Sequence, residues 1–230
     1  MKSKKSVSMK AVVVLMALVL LIGCGVGGTL AWLMDKTDAV TNTFTVGDIE
    51  ITLDEAKVNQ DGQFLDKNDN VVYDLTSAER VTSNTYQAIP GKTYSKDPTL
   101  TVRKGNEKCY LFVEFTETNS PDTYYTYDFA LDNTDSGWSN GDGTNIPANV
   151  WYIIVEETAA DATNDTVYHL LVNDKIQVKD TVTKENMSDA ADAKLEFKAY
   201  AVQHVNDATN FTTEQAWDIA QDGTLTATNP

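Results

Sequence analysis

Short runs of β-branched and aromatic residues, separated by Gly, Asn, Asp and Pro, dominate the hydrophobic pattern of this chain and predict strands. Phe44 and Val46 share one parity. After Gly47-Asp48 the apolar positions move to Ile49, Ile51 and Leu53, which reads as one strand bent or bulged at Gly47. Asp61-Gly62 predicts a hairpin-type turn before Phe64 and Leu65, and Asp66-Lys67-Asn68-Asp69-Asn70 a polar loop leading into Val71-Val72-Tyr73. Residues 75–87 are ambiguous: Leu75, Ala78 and Thr82 would share a helical face, but the β-branched residues around them disfavour a helix. Ile89-Pro90-Gly91-Lys92 fits a type II turn, with proline second and glycine third. Residues 99–103 and 108–116, joined by Lys104-Gly105-Asn106-Glu107, predict an antiparallel hairpin.

Two later runs are apolar on both faces. In Val150-Trp151-Tyr152-Ile153-Ile154-Val155 neither parity is polar, and Leu195, Phe197, Ala199 and Ala201 alternate with Tyr200 and Val202. Such strands sit centrally, covered by a second sheet on one side and by loops or helices on the other. Residues 166–173 and 176–182 add two more strands. One helix carries a full start signal: Thr212 and Gln215 form a capping box, Phe211 precedes it as a staple, and Ala216, Trp217, Ile219 and Ala220 follow. No repeat period and no Pro- or Ser-rich linker divides the chain, so a single domain is expected.

The N-terminus departs from this pattern. Lys2, Lys4, Lys5 and Lys10 precede an apolar run, residues 11–22, that ends in a Gly-rich exit, the build of a secretory signal peptide. An uncleaved anchor would need about 20 apolar residues, and here glycines dilute the run. Leu21-Ile22-Gly23-Cys24 has the shape of a lipoprotein box with Cys24 as the lipidated residue. Thr29-Leu30-Ala31 suits an ordinary signal peptidase cutting between Ala31 and Trp32. The second reading is favoured, giving a signal peptide over 1–31 and a mature domain over 32–230. Its removal takes away four lysines and no acid, so the formal charge moves from −16 to −20. That surface repels nucleic acid and anionic headgroups, leaving the signal peptide before cleavage as the expected membrane contact. Either N-terminal reading removes Cys24 from disulfide duty, and Cys109, flanked by apolar residues, reads as a small buried hydrophobe. The polar C-terminus carries neither a sorting motif nor an apolar tail.

Candidate chemistry is thin. His169 and His204 are the only imidazoles, each inside a strand pattern, and there is no His-Glu-x-x-His, no Gly-x-Ser-x-Gly and no phosphate loop. Two loops alternate Asp and Asn as calcium sites do, one with Asp66 and Asp69, the other with Asp132, Asp135 and Asp142. Neither has the EF-hand spacing, and such residues are also what plain turns use, which is the favoured reading. No cofactor is expected. Among 34 acids no pair stands out for glycoside hydrolysis. Tyr124, Tyr125, Tyr127, Trp138 and Trp151 would serve a carbohydrate platform or a core; Trp151 suits the core, while Tyr124 and Tyr125 stay open.

Gly27-Gly28-Thr29-Leu30-Ala31-Trp32, followed by Asp35-Lys36-Thr37 and Asn42-Thr43-Phe44-Thr45-Val46-Gly47, resembles the N-terminus of the TasA/camelysin family. Pro90-Gly91-Lys92, Lys96-Asp97-Pro98, Cys109-Tyr110-Leu111-Phe112-Val113, Ala199-Tyr200-Ala201-Val202-Gln203 and Ala216-Trp217 resemble its body. The resemblance implies a jelly-roll-like antiparallel β-sandwich with a few short helices, secreted to a bacterial cell surface or extracellular matrix after cutting by a dedicated, SipW-type signal peptidase. It further implies a biofilm-matrix protein that is its own partner, a fibre in which an N-terminal segment is donated as a strand to the next subunit. The donor would be residues 32–46, with Asn42, Phe44 and Val46 on one face; equally, 43–46 would simply begin the domain's own first strand. Camelysin is described as a metalloprotease, so a cell-surface protease is the alternative from another class. The missing zinc motif disfavours it, and no enzyme is expected. A lipid-tethered binding module, through Cys24, is the third reading.

Overall fold

Alternating burial assigns the strands to layers. In the computed structural model, which describes residues 35–37, 43–46, 49–86, 89–159, 161–206 and 209–222, five strands form one sheet. Its order is β10 (Ser139–Asn140), β11 (Val150–Val155), β8 (Cys109–Thr118), β14 (Lys194–Gln203) and β2 (Thr43–Val46). A second sheet runs β12 (Thr166–His169), β7 (Thr99–Val102), β3 (Ile51–Ala56) and β4 (Arg80–Val81). A third joins β6 (Thr93–Ser95), β13 (Lys175–Val178) and β9 (Tyr125–Thr126). Two ladders complete the strands: β1 (Asp35–Thr37) with β5 (Asn84–Tyr86), and β15 (Val205–Asn206) with β16 (Thr209–Asn210). The helices α1 (Pro121–Tyr124), α2 (Met187–Asp192) and α3 (Thr213–Asp222) are short. The protein is an all-β sandwich, as its strand-rich pattern predicts.

The main core lies between the two larger sheets. Ile51, Leu53, Leu100 and Val102 face Leu111, Val113, Trp151, Phe197 and Ala199. Each such side chain contributes about 1.5–3 kcal/mol when fully withdrawn from water. The opposite parity of the five-stranded sheet is also covered. Tyr110, Phe112, Val150, Tyr200 and Val202 pack beneath Ala216, Trp217, Ile219 and Ala220 of α3. Of the strands that are apolar on both faces, β14 is covered by a sheet on one side and a helix on the other; on the outer face of β11, Val150 is buried but Ile154 is 41% exposed. At α3 the capping box forms as read: Thr212 N–H donates to Gln215 Oε1 at 2.9 Å and Gln215 N–H to Thr212 Oγ1 at 3.3 Å. A third cluster is built on Tyr86, Tyr94, Ile176 and Val178.

Several turns also follow the sequence reading. Gly91 has φ +74° and Lys92 N–H reaches Ile89 O at 3.0 Å; Gly62 has φ +76° between the bridged Val58 and Phe64. Three expectations are corrected. Residues 44–53 are not one bent strand: β2 belongs to the five-stranded sheet and β3 to the four-stranded one, so the parity shift at Gly47 marks a change of sheet. Residues 99–103 and 108–116 do not form a hairpin, because β7 pairs with β3 and β12 while β8 pairs with β11 and β14. The linker between them arches from one sheet to the other, with Gly105 at φ +81° and Asn106 buried. The stretch that the sequence left open holds a single 3-10 turn, Leu75–Ser77, followed by β4 and β5. The sandwich is also not wholly antiparallel: β14 and β2 run parallel.

Candidate functional site: an edge strand and a buried charge node

The described residues between 35 and 56 contribute three strands to three different sheets. β1 pairs with β5 through Asp35↔Tyr86, Lys36↔Thr85 and Thr37↔Asn84. β2 then lies along β14 with Thr43↔Ala199, Phe44↔Tyr200, Thr45↔Ala201 and Val46↔Val202. A parallel neighbour cannot come from a hairpin; it must be brought in from a distant part of a chain. β2 is the outermost strand of its sheet and covers four of the ten positions of β14, whose other side is paired along its full length with β8. Phe44 and Val46 of the expected donor segment are thus on an edge strand, at the register given. Asn42, the cleavage pair Ala31 and Trp32, and Cys24 lie outside the described residues.

Beside this segment is a cluster that the sequence reading did not single out. Glu55 of β3 and Lys96, between β6 and β7, are both almost wholly buried, at 2% and 3% side-chain exposure, with Lys96 Nζ 3.2 Å from Glu55 Oε2. Tyr86 of β5 donates its hydroxyl toward the same Oε2 at 3.4 Å and to Ser95 O at 3.2 Å, and its ring lies 5.6 Å from Nζ. Next in sequence, Asp97 is also buried. Its Oδ1 accepts from Ala56 N–H at 2.6 Å and its Oδ2 from Arg80 Nη1 at 2.6 Å, while Arg80 Nη2 reaches Asp54 Oδ1 at 2.8 Å. Asn84 bridges the same strand, accepting from Val58 N–H and donating to Ala56 O, both at 2.8 Å.

The electrostatics follow from this packing. Burial drives the Tyr86 phenol well above its ordinary range, and the nearby Glu55 and Asp97 push it further, so the hydroxyl keeps its proton. Burial works against the charge on Arg80, but Asp97 and Asp54 outweigh it and raise the guanidinium above its usual value. Ion pairs withdrawn from water in this way return little net stability, since desolvation offsets the Coulomb attraction. The Lys96–Glu55 contact is also longer than the 2.7–2.9 Å of a strong charge-assisted bond. A signal for Glu55 was present: it shares the parity of Ile51 and Leu53, so a strand ending there must bury an acid.

The other candidates resolve into turns and packing. Asp66 Oδ1 accepts from the amides of Asn68 and Asn70, and Asp142 Oδ1 from those of Thr144 and Asn145, within their own loops. Asp69 pairs with Lys57 at 2.8 Å, and Asp132 Oδ1 accepts from Trp151 Nε1 at 2.9 Å. Asp135 donates its N–H to Asn133 Oδ1 at 3.1 Å. Among the described residues no three of His, Cys, Asp and Glu converge as metal ligands. His169 is half-exposed and meets Asp174 at 3.1 Å, whereas His204 is buried and stacks on Tyr110 at 5.0 Å. Cys109 is buried, and desolvation pushes its thiol up to about 12. Trp151 is core, its ring tilted against those of Phe115 and Phe129. Tyr124 and Tyr125 are half-buried against the third cluster, Tyr125 donating to Ala190 O at 2.9 Å. Among the described residues no helix is long and apolar enough to cross a membrane. No protein-family model, curated protein or solved structure matches the chain.

Proposed function

We propose that this is a non-enzymatic structural protein of a bacterial extracellular matrix, exported by its signal peptide and assembling with copies of itself through its N-terminal strand. The observation that carries this reading is the parallel edge pairing of β2 with β14. Among the described residues β2, which follows β1 downstream of the expected cleavage site, bonds to one neighbour only and leaves part of the long β14 edge uncovered. The same segment supplied by a second copy satisfies the same backbone groups, and repetition of that exchange is head-to-tail and open-ended. A mature charge of −20 opposes such association at neutral pH and relaxes as carboxylates protonate.

Electron microscopy of purified 32–230 tests the proposal. Filaments are expected, favoured by acidification, lost on deletion of 32–46 and shortened by an excess of the 32–46 peptide. Monomers alone under neutral and acidic conditions overturn it.

A further inference from the structure

We propose that Lys96 and Glu55 condense within the folded protein to an intramolecular isopeptide bond, an autocatalytic modification that staples β3 to the segment entering β7. Four observations carry it. The two side chains are buried together, at 3% and 2% exposure. Nζ lies 3.2 Å from Oε2, in direct contact with the carboxyl group it would attack. The pair is incompletely satisfied as ions: Glu55 Oε1 has no hydrogen-bond partner among the described residues, although it is fully buried. The Tyr86 hydroxyl lies beside the same carboxyl group, 3.4 Å from Oε2 and 3.2 Å from Ser95 O.

The chemistry balances without a co-reactant. In the reaction one proton crosses from the Lys96 ammonium to the Glu55 carboxylate, which frees the nitrogen lone pair for attack and gives the departing oxygen a proton. Nζ attacks Cδ and the C–N bond forms. The C–O bond to Oε1, the oxygen held by no partner, breaks. Of the three ammonium protons, one stays on the amide nitrogen and two leave with Oε1 as water; nothing is oxidised or reduced. Oε2 remains as the amide carbonyl, facing the Tyr86 hydroxyl. Two buried charges become one neutral amide, and the released water passes to solvent.

The position suits a staple. Lys96 and Glu55 are 41 residues apart, and Glu55 adjoins Asp54, which pairs with Thr99 of β7. The bond would close the loop containing β4, β5 and β6, and with it the ladder that receives β1.

Intact-mass spectrometry of the purified full chain under denaturing conditions, followed by tryptic mapping, is decisive and does not depend on fibre formation. The chain is expected to be lighter by one water, about 18 Da, with a peptide containing Glu55 covalently joined to one containing Lys96. Lys96→Arg and Glu55→Ala are expected to restore the full mass, and Glu55→Gln to form the same bond with loss of ammonia instead of water. An unmodified mass in wild-type protein with a cooperative melting transition overturns the proposal. So does a water loss that maps to Asp61-Gly62 or Asp142-Gly143, where succinimide formation has the same mass. Since the readout is a mass on the monomer, a failure to form filaments leaves this result standing, and the reverse also holds.

Discussion

The indole of Trp217 lies 5.2 Å from the ring of Phe112, tilted at 55°, and so fastens α3 to the outer face of the central strand β8. Tyr200 meets the same indole edge-on at 5.6 Å. Trp217→Ala removes the contact that covers two central strands, and truncation of a buried aromatic costs about 3–5 kcal/mol. Chemical denaturation followed by far-UV circular dichroism should show that loss, whereas Trp217→Phe should lose less.

Asp97 anchors the backbone of β3 and the guanidinium of Arg80 with its two oxygens. Asp97→Ala orphans the Ala56 N–H and leaves Arg80 with Asp54 alone, so a loss of about 3–5 kcal/mol is expected. Asp97→Asn retains an oxygen for one of the two donors and should lose less. Denaturant midpoints of the two variants, measured side by side, check the ranking.

The carboxyls of Asp66 and Asp142 are held below their ordinary 3.8, Asp66 by the amides and side chain of Asn70 and by Asn68, Asp142 by the amides of Thr144 and Asn145. A depressed acid contributes stability that is present above its unfolded value and lost as pH falls through its folded one. Acidification below about 4 should therefore loosen both turns. Carbon-detected NMR titration should place both midpoints below the reference, and Asp142→Ala should remove its share of the acid dependence.

Cys109 combines complete burial with a thiol pushed up to about 12. Reaction with a disulfide reagent at pH 8 should be negligible in the native state and complete in guanidinium. Rapid native labelling would show that the main core opens on the timescale of the reagent.

What could be read from the sequence was local. The Thr212–Gln215 box, the turn at Gly91 and the apolar double face of β14 each depend on residues within a few positions, and each stands in the structure. The linker at 104–107 misled because its length permits either a hairpin or an arch between sheets. What chooses the arch is pairing with β3, β11 and β14, all remote in sequence. The charge node was hidden for the same reason. Glu55 and Lys96 look like ordinary strand charges until a fold brings together positions 41 apart. The parity of Ile51, Leu53 and Glu55 was the one local sign, and it names the buried acid without naming its partner.

The ladder between β2 and β14 joins Phe44 to Tyr200, which are 156 positions apart. Ribosomes make the first long before the second, so for most of its synthesis the chain carries an edge strand with no sheet to join. Closing so distant a contact is slow on entropic grounds. Under the strand-exchange proposal, once β14 exists two chemically identical occupants would compete for it: the chain's own segment, at an effective concentration set by the tether, and a neighbour's, at the concentration of the surroundings. Identical residues give identical contacts, so crowding and timing, rather than affinity, would then decide which one arrives.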